Sequence, residues 1–112
     1  MKKLEIVIQP EKLEALKAIL DASNASGVMI SNIMGYGNQK GHKKIYRGAE
    51  YSVNLLPKVK VETIVEPDTA EKIIKRVVDE IQTGTYGDGK IFVYEVQDAV
   101  RIRTGERGSN AL

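Results

Sequence analysis

The stretch Asp68-Thr-Ala-Glu-Lys-Ile-Ile-Lys-Arg-Val-Val-Asp-Glu-Ile81 decides the fold. Ala70, Ile73, Ile74, Val77, Val78 and Ile81 recur at three- and four-residue spacing, which is the stripe of a helix with one face on a core. Asp68 and Glu71 have the spacing of an Asp-x-x-Glu capping box, and Gly84 stands where a C-terminal cap belongs. Upstream, Leu13, Ala15, Leu16, Ile19 and Leu20 repeat the pattern, with Lys12, Glu14, Lys17 and Asp21 turned to water. Pro10 suits the first turn of that helix, and Ser23, Asn24, Ser26 and Gly27 stop it.

Strands surround both helices. Residues 4–8 are short, branched and apolar; 28–36 and 51–66 are extended runs, the latter with Val59, Val61, Thr63 and Val65 alternating against polar neighbours. Pro57 inside the long run points to an edge position or a bulge. Residues 91–96 form the last strand. The order is strand, helix, strand, strand, helix, strand: an α+β, ferredoxin-like βαββαβ sandwich with both helices on one face of the sheet. Val7 opposes Leu4 and Ile6, and Phe92 and Tyr94 oppose Ile91 and Val93, so the strands look apolar on both faces. A sheet with one wet face alternates more cleanly, and the second face is therefore expected to pack against copies of the chain.

A length of 112 residues fits one domain, 1–112. Seventeen Lys and Arg against fifteen Asp and Glu leave a net charge of +2, too balanced for generic nucleic-acid or membrane-surface binding. The sheet also lacks aromatics set among basic residues for stacking bases, so no nucleic-acid partner is expected. Without Cys there is no thiolate chemistry, and His42, the single histidine, cannot build a multi-histidine metal site. No apolar run spans a bilayer or forms a signal peptide, so a cytoplasmic protein without membrane insertion is expected.

Three polar constellations interrupt the pattern. Residues 37–50 (GNQKGHKKIYRGAE) show neither period and read as a long loop, either a surface excursion or a mobile arm reaching a partner. Residues 83–90 (TGTYGDGK) contain Gly84-x-x-x-x-Gly89-Lys90. Glycines let backbone N–H groups close around phosphate oxygens, and a Lys adds a point charge. Ile91 stands where a P-loop needs a magnesium-binding hydroxyl, and the segment runs helix to strand, so it is not a P-loop; a tight turn remains an equal reading. In the C-terminal segment 98–112, Arg101 and Arg103 share one side if the chain is extended, which suits bidentate phosphate contacts; a solvated charged tail is the alternative.

Gly37-Asn-Gln-Lys-Gly-His42, Tyr46-Arg-Gly-Ala-Glu-Tyr51, Leu56-Pro-Lys-Val-Lys60, Thr83-Gly, Gly87-Asp-Gly-Lys-Ile-Phe-Val93 and Ile102-Arg-Thr-Gly-Glu106 together resemble the PII signal-transduction family over essentially the whole chain. The resemblance implies a homotrimer of ferredoxin-like subunits that binds ATP and ADP in the clefts between neighbours. It also implies that the 37–50 loop carries the signal to a target, a membrane transporter or a metabolic enzyme. On this chain the loop Gly87, Asp88, Gly89, Lys90 would hold phosphates, and Arg101 and Arg103 would complete the cage from the neighbouring subunit. Gly35 and Gly37 would bring the base of the long loop close, with Met29, Glu62 and Ile64 near the adenine. Relatives that sense 2-oxoglutarate use Gln39 and Lys58 around a magnesium–ATP complex, Gln39 beside the Mg2+. Here Gln9 and Asn38 stand where basic residues are usual, so weak or absent 2-oxoglutarate binding is expected. Tyr51 matches a tyrosine that some relatives have nucleotidylated, and a purely structural Tyr is an equal reading. The leading expectation is a non-enzymatic energy-state sensor. A full nitrogen and carbon sensor and a small nucleotide-hydrolysing enzyme are the alternatives.

Overall fold

The computed structural model describes residues 1–36, 42–46, 49–53 and 55–112. In chain order they form β1 (Lys2–Ile8), α1 (Leu13–Ala22), β2 (Val28–Tyr36), β3 (His42–Tyr46), β4 (Ala49–Val53), β5 (Leu55–Val65), α2 (Pro67–Ile81) and β6 (Lys90–Glu95). Four strands make one antiparallel sheet in the order β2-β5-β1-β6, the ferredoxin-like arrangement that the pattern predicts. The two central strands are in register as Leu4↔Thr63, Ile6↔Val61 and Ile8↔Val59, so their alternate residues point together at the helices. Leu4, Ile6, Ile8, Val59 and Val61 are buried there against Leu16, Ile19 and Leu20 of α1 and Ala70, Ile73, Val77 and Ile81 of α2. Burying each Leu, Ile or Val side chain contributes about 1.5–3 kcal/mol, which makes this layer the main source of stability. Thr63 is also buried, and its hydroxyl donates to the Gly27 carbonyl at 2.7 Å.

The far face of the sheet differs from expectation. Its centre is charged: Lys3 pairs with Glu62 at 3.0 Å, Lys60 lies 4.0 Å from Glu5, and the Lys3 ammonium sits 5.2 Å from the centre of the Tyr94 ring. The exposed apolar residues lie on the edge strands, Met29 on β2 and Phe92 and Tyr94 on β6. Ile30 and Val93 are uncovered too, because two helices reach across only the two central strands.

Helix termini depart from the sequence reading in instructive ways. Pro67 starts α2 at its first position, Glu66 becomes the N-cap without a side-chain bond, and the Asp68–Glu71 box does not form. Asp68 instead lies in the first turn, where its charge favours the helix dipole. At the other end Gln82 turns extended, and Gly84 belongs to the next loop. The Ser23 hydroxyl caps α1 by donating to the Ile19 carbonyl at 2.8 Å, and Asn24 takes the left-handed conformation with φ 59°.

Pro57 occupies a locally edge position. It faces Met34 of β2, while the pairing with β1 begins only two residues later, at Ile8↔Val59. The loop expected over 37–50 is corrected in part, as is the single strand expected over 51–66. Residues 42–46 and 49–53 pair as an antiparallel ribbon from His42↔Val53 to Tyr46↔Ala49, and β5 begins only at Leu55. A two-stranded ribbon needs no apolar face on a core, so its sequence carries no strong period. Residues 37–41, 47 and 48 lie outside the described residues.

Candidate functional site

The segment 83–90 returns the chain from α2 to β6, and one carboxylate organises it. Asp88 Oδ2 accepts from the backbone N–H groups of Thr83 at 2.8 Å and Gly84 at 3.0 Å, and Oδ1 accepts from the Thr83 hydroxyl at 2.5 Å. The Thr83 hydroxyl, then the backbone donors, hold the Asp88 carboxyl below its ordinary range against a smaller desolvation effect. Gly84, Gly87 and Gly89 all have positive φ. At Gly89, φ is +112° and a Cβ would sit 1.9 Å from the Val7 carbonyl oxygen, so only glycine lets this backbone lie on the end of β1.

Two side chains hold the loop from outside. The Gly87 carbonyl accepts from Gln9 Nε2 and from Lys58 Nζ, both at 3.0 Å. Lys58 is only 8% exposed, because its stem lies across Gly35, where a Cβ would meet Lys58 Cγ at 3.1 Å. Beside this contact opens a cleft of about 690 Å³ lined by Gly35, Lys58, Gly87, Asp88, Gly89 and Lys90 together with Tyr36, Tyr86 and Phe92. Two ammonium groups and a glycine-rich backbone around such a space suit a polyanion. Asp88 is the sole carboxylate among the described lining residues, and both its oxygens are already engaged in the loop.

The other expected site residues lie elsewhere on the chain. Met29 and Glu62 are register partners on the far face, and Ile64 pairs with Lys3. The Lys3 ammonium, by its hydrogen bond first, holds the Glu62 carboxyl below its ordinary range. Gly37, Asn38 and Gln39 lie outside the described residues; Tyr51 is opposite Lys44 in the β3–β4 ribbon.

Arg101 and Arg103 require a correction. They are not on an extended strand, so they do not share a side by strand period. Residues 102–104 turn, with the Gly105 N–H bonded to the Arg101 carbonyl at 2.7 Å, and Val100 bridges to Arg107. The tail thereby becomes a closed hairpin. The Arg101 guanidinium donates to the Leu112 carbonyl at 3.1 Å and lies 3.4 Å from Glu106, while Arg103 is exposed and bonds to none of the described residues. The sequence reading missed Gln9 as a loop contact and Thr83 as the partner of Asp88. A carboxamide at the end of the strand that borders a glycine loop was the available signal.

Fold and cleft define a class: a ferredoxin-like α+β domain with a glycine-rich loop and two ammonium groups around a cleft at one end of its sheet. A family model described as nitrogen regulatory protein P-II matches residues 1–106. Full-length relatives named nitrogen regulatory protein P-II include those of Rhodospirillum rubrum at 48% identity and Haemophilus influenzae at 47%, each alignment covering 100% of both chains. A solved structure of GlnK from B. subtilis superposes with a TM-score of 0.80 at 38% identity, covering 99% of this chain and 97% of that one. The chain belongs to the nitrogen regulatory protein P-II family.

Proposed function

We propose that this regulatory protein is a non-enzymatic cytoplasmic sensor that binds ATP and ADP in clefts between copies of a homotrimer. It signals to a target protein through residues 37–50, the target being a transporter or a metabolic enzyme. One observation carries the reading: the Gly87–Lys90 backbone is fastened to the sheet beside the ammonium groups of Lys58 and Lys90. Such a cradle lowers the ordering cost of binding phosphates. The absence of Arg101, Arg103, Met29, Glu62 and Ile64 from the cleft lining of one chain fits a site completed by a neighbour. The uncovered apolar side chains on β2 and β6 supply the surface for such contacts. With the Asp88 carboxylate engaged, the described lining offers no free general base, which favours binding over hydrolysis.

The test is calorimetric titration of ATP, ADP and adenosine, with mass by light scattering. ATP is expected to bind far more tightly than adenosine, on a particle of trimer mass. At a hundredfold excess over its dissociation constant, ATP should add about 2.7 kcal/mol to stability. Lys90→Ala and Arg103→Ala are each expected to weaken ATP more than adenosine, since only phosphates engage their charges. A monomer mass, equal affinities for ATP and adenosine, or multiple-turnover hydrolysis would contradict the reading. For 2-oxoglutarate, Lys58 is present but already donates to Gly87, and Gln9 adds no charge. Weak or no heat is expected on titrating it into the magnesium–ATP complex; saturable micromolar binding would restore the nitrogen- and carbon-sensing role.

A further inference from the structure

Gln9 attracts notice because it interacts across 78 positions with a single backbone oxygen. That oxygen, Gly87 O, also receives Lys58 Nζ, so the ends of β1 and β5 both donate to one carbonyl. A carbonyl oxygen has two lone pairs, and two donors at 3.0 Å fill both. The peptide plane that follows is then fixed. In a trans peptide the C=O and the next N–H point in opposite directions, and the chain has no cis bonds among the described residues. Holding the Gly87 carbonyl in towards β1 and β5 therefore turns the Asp88 N–H away from them. That N–H makes no backbone bond to the described residues. Asp88 contributes its side chain to the loop interior while its amide is turned the other way.

We infer that Gln9 is a positioning residue for the phosphate cradle: with Lys58 it clamps the Gly87 carbonyl, and the clamp aims the Asp88 amide at the anion. This rests on the nucleotide-binding reading for the identity of the anion, though the clamp itself does not. Gln9 is half-exposed and lies outside the buried core, so its removal leaves the helix-to-sheet packing intact. Lys58 alone cannot fix the plane, since one donor leaves the carbonyl free to swing about that contact. The neutral carboxamide performs this role without adding a second cation beside Lys58.

The experiment uses two variants of the full chain. Gln9→Leu keeps the volume and removes the donor, and Gln9→Glu replaces the donor by an acceptor of the same size. In the ligand-free protein the Asp88 and Gly89 amide resonances are expected to shift in both variants and to exchange faster with solvent, while amides of α1 and α2 stay in place. In titrations, Gln9→Leu is expected to lose about fivefold in ATP affinity, the loss of one ordinary hydrogen bond, and nothing for adenosine. Gln9→Glu is expected to lose at least as much. Unchanged loop amides in Gln9→Leu would overturn the clamp, as would equal losses for ATP and adenosine or a loss spread over the helices. If the unaltered protein binds no ATP, the nucleotide reading falls, and the ligand-free amide shifts still decide whether Gln9 holds the loop.

Discussion

Two segments of this chain are each built around one aspartate, and they differ in what lies outside them. Asp88 gathers Thr83 and Gly84 in the glycine loop; Asp98 gathers the N–H groups of Ala99 and Gly108 and the Arg107 guanidinium in the C-terminal hairpin. The glycine loop is further fastened to the sheet by Gln9, Lys58 and the contact of Gly89 with Val7. Among the described residues the C-terminal hairpin makes no hydrogen bond to the sheet. Its hydrogen bonds fall within residues 98–112 among the described residues, and Ile102 is wholly exposed. The glycine loop is thus tied to the sheet, whereas the hairpin displays Ile102 and Arg103 outward. The contrast teaches that similar local chemistry serves opposite ends: the same carboxylate device makes a loop fixed to the sheet in one place and an outward-facing hairpin in the other.

The strongest way to break the comparison is to detach the glycine loop. Gly89→Ala places a methyl group into the Val7 carbonyl and strains a φ of +112°. A loss of about 3 kcal/mol in urea unfolding is expected, with the loop amides losing protection. Unchanged stability would show that the contact with β1 is dispensable. A smaller effect sharpens it: Asp88→Ala should lower ATP affinity about tenfold by loosening the cradle. Asp98→Ala should lower the melting temperature less than Asp88→Ala does, with faster amide exchange concentrated at residues 99–108. Equal effects on melting would erase the distinction between fastened and free segments.

Acid provides the mildest perturbation. Thr83 holds the Asp88 carboxyl low, and Arg107 does the same for Asp98, each below its unfolded value. A depressed carboxyl contributes stability that is present above the ordinary carboxylate range, about pH 4, and is lost as pH falls through the folded value. Loop and hairpin amides should therefore stay protected at neutral pH and open only below that range. Asp88→Asn should abolish the acid step of the loop and leave that of the hairpin, as seen in amide exchange followed against pH.

How far the sequence alone reaches follows the same physics. Periodicity reported the two helices and the central strands, because Ile73, Val77 and Ile81 or Leu4, Ile6 and Ile8 must all face one core. It misjudged the far face, where Lys3, Glu5, Lys60 and Glu62 form ion pairs at the centre and the apolar residues stand at the edges. The glycine loop was legible by composition, but the constraint on Gly89 comes from a contact no pattern states, the close approach of its backbone to Val7. The β3–β4 ribbon and the C-terminal hairpin were not legible. The ribbon is a set of backbone pairs, and the hairpin is closed by one backbone bridge and charged contacts, which leave no apolar rhythm. Gln9 was read as a missing charge, whereas its partner is a carbonyl 78 positions away.

The central claim is that the fastened loop of one subunit and the displayed arginines of the next make one site. The most direct measurement co-refolds equal amounts of Lys90→Ala and Arg103→Ala protein and titrates the mixture with ATP. Neither variant alone should bind tightly. In random trimers about one cleft in four joins an intact Lys90 to an intact Arg103 from a neighbour, and that fraction of high-affinity sites should reappear. A mixture that binds no more ATP than the two variants measured apart would contradict the shared site.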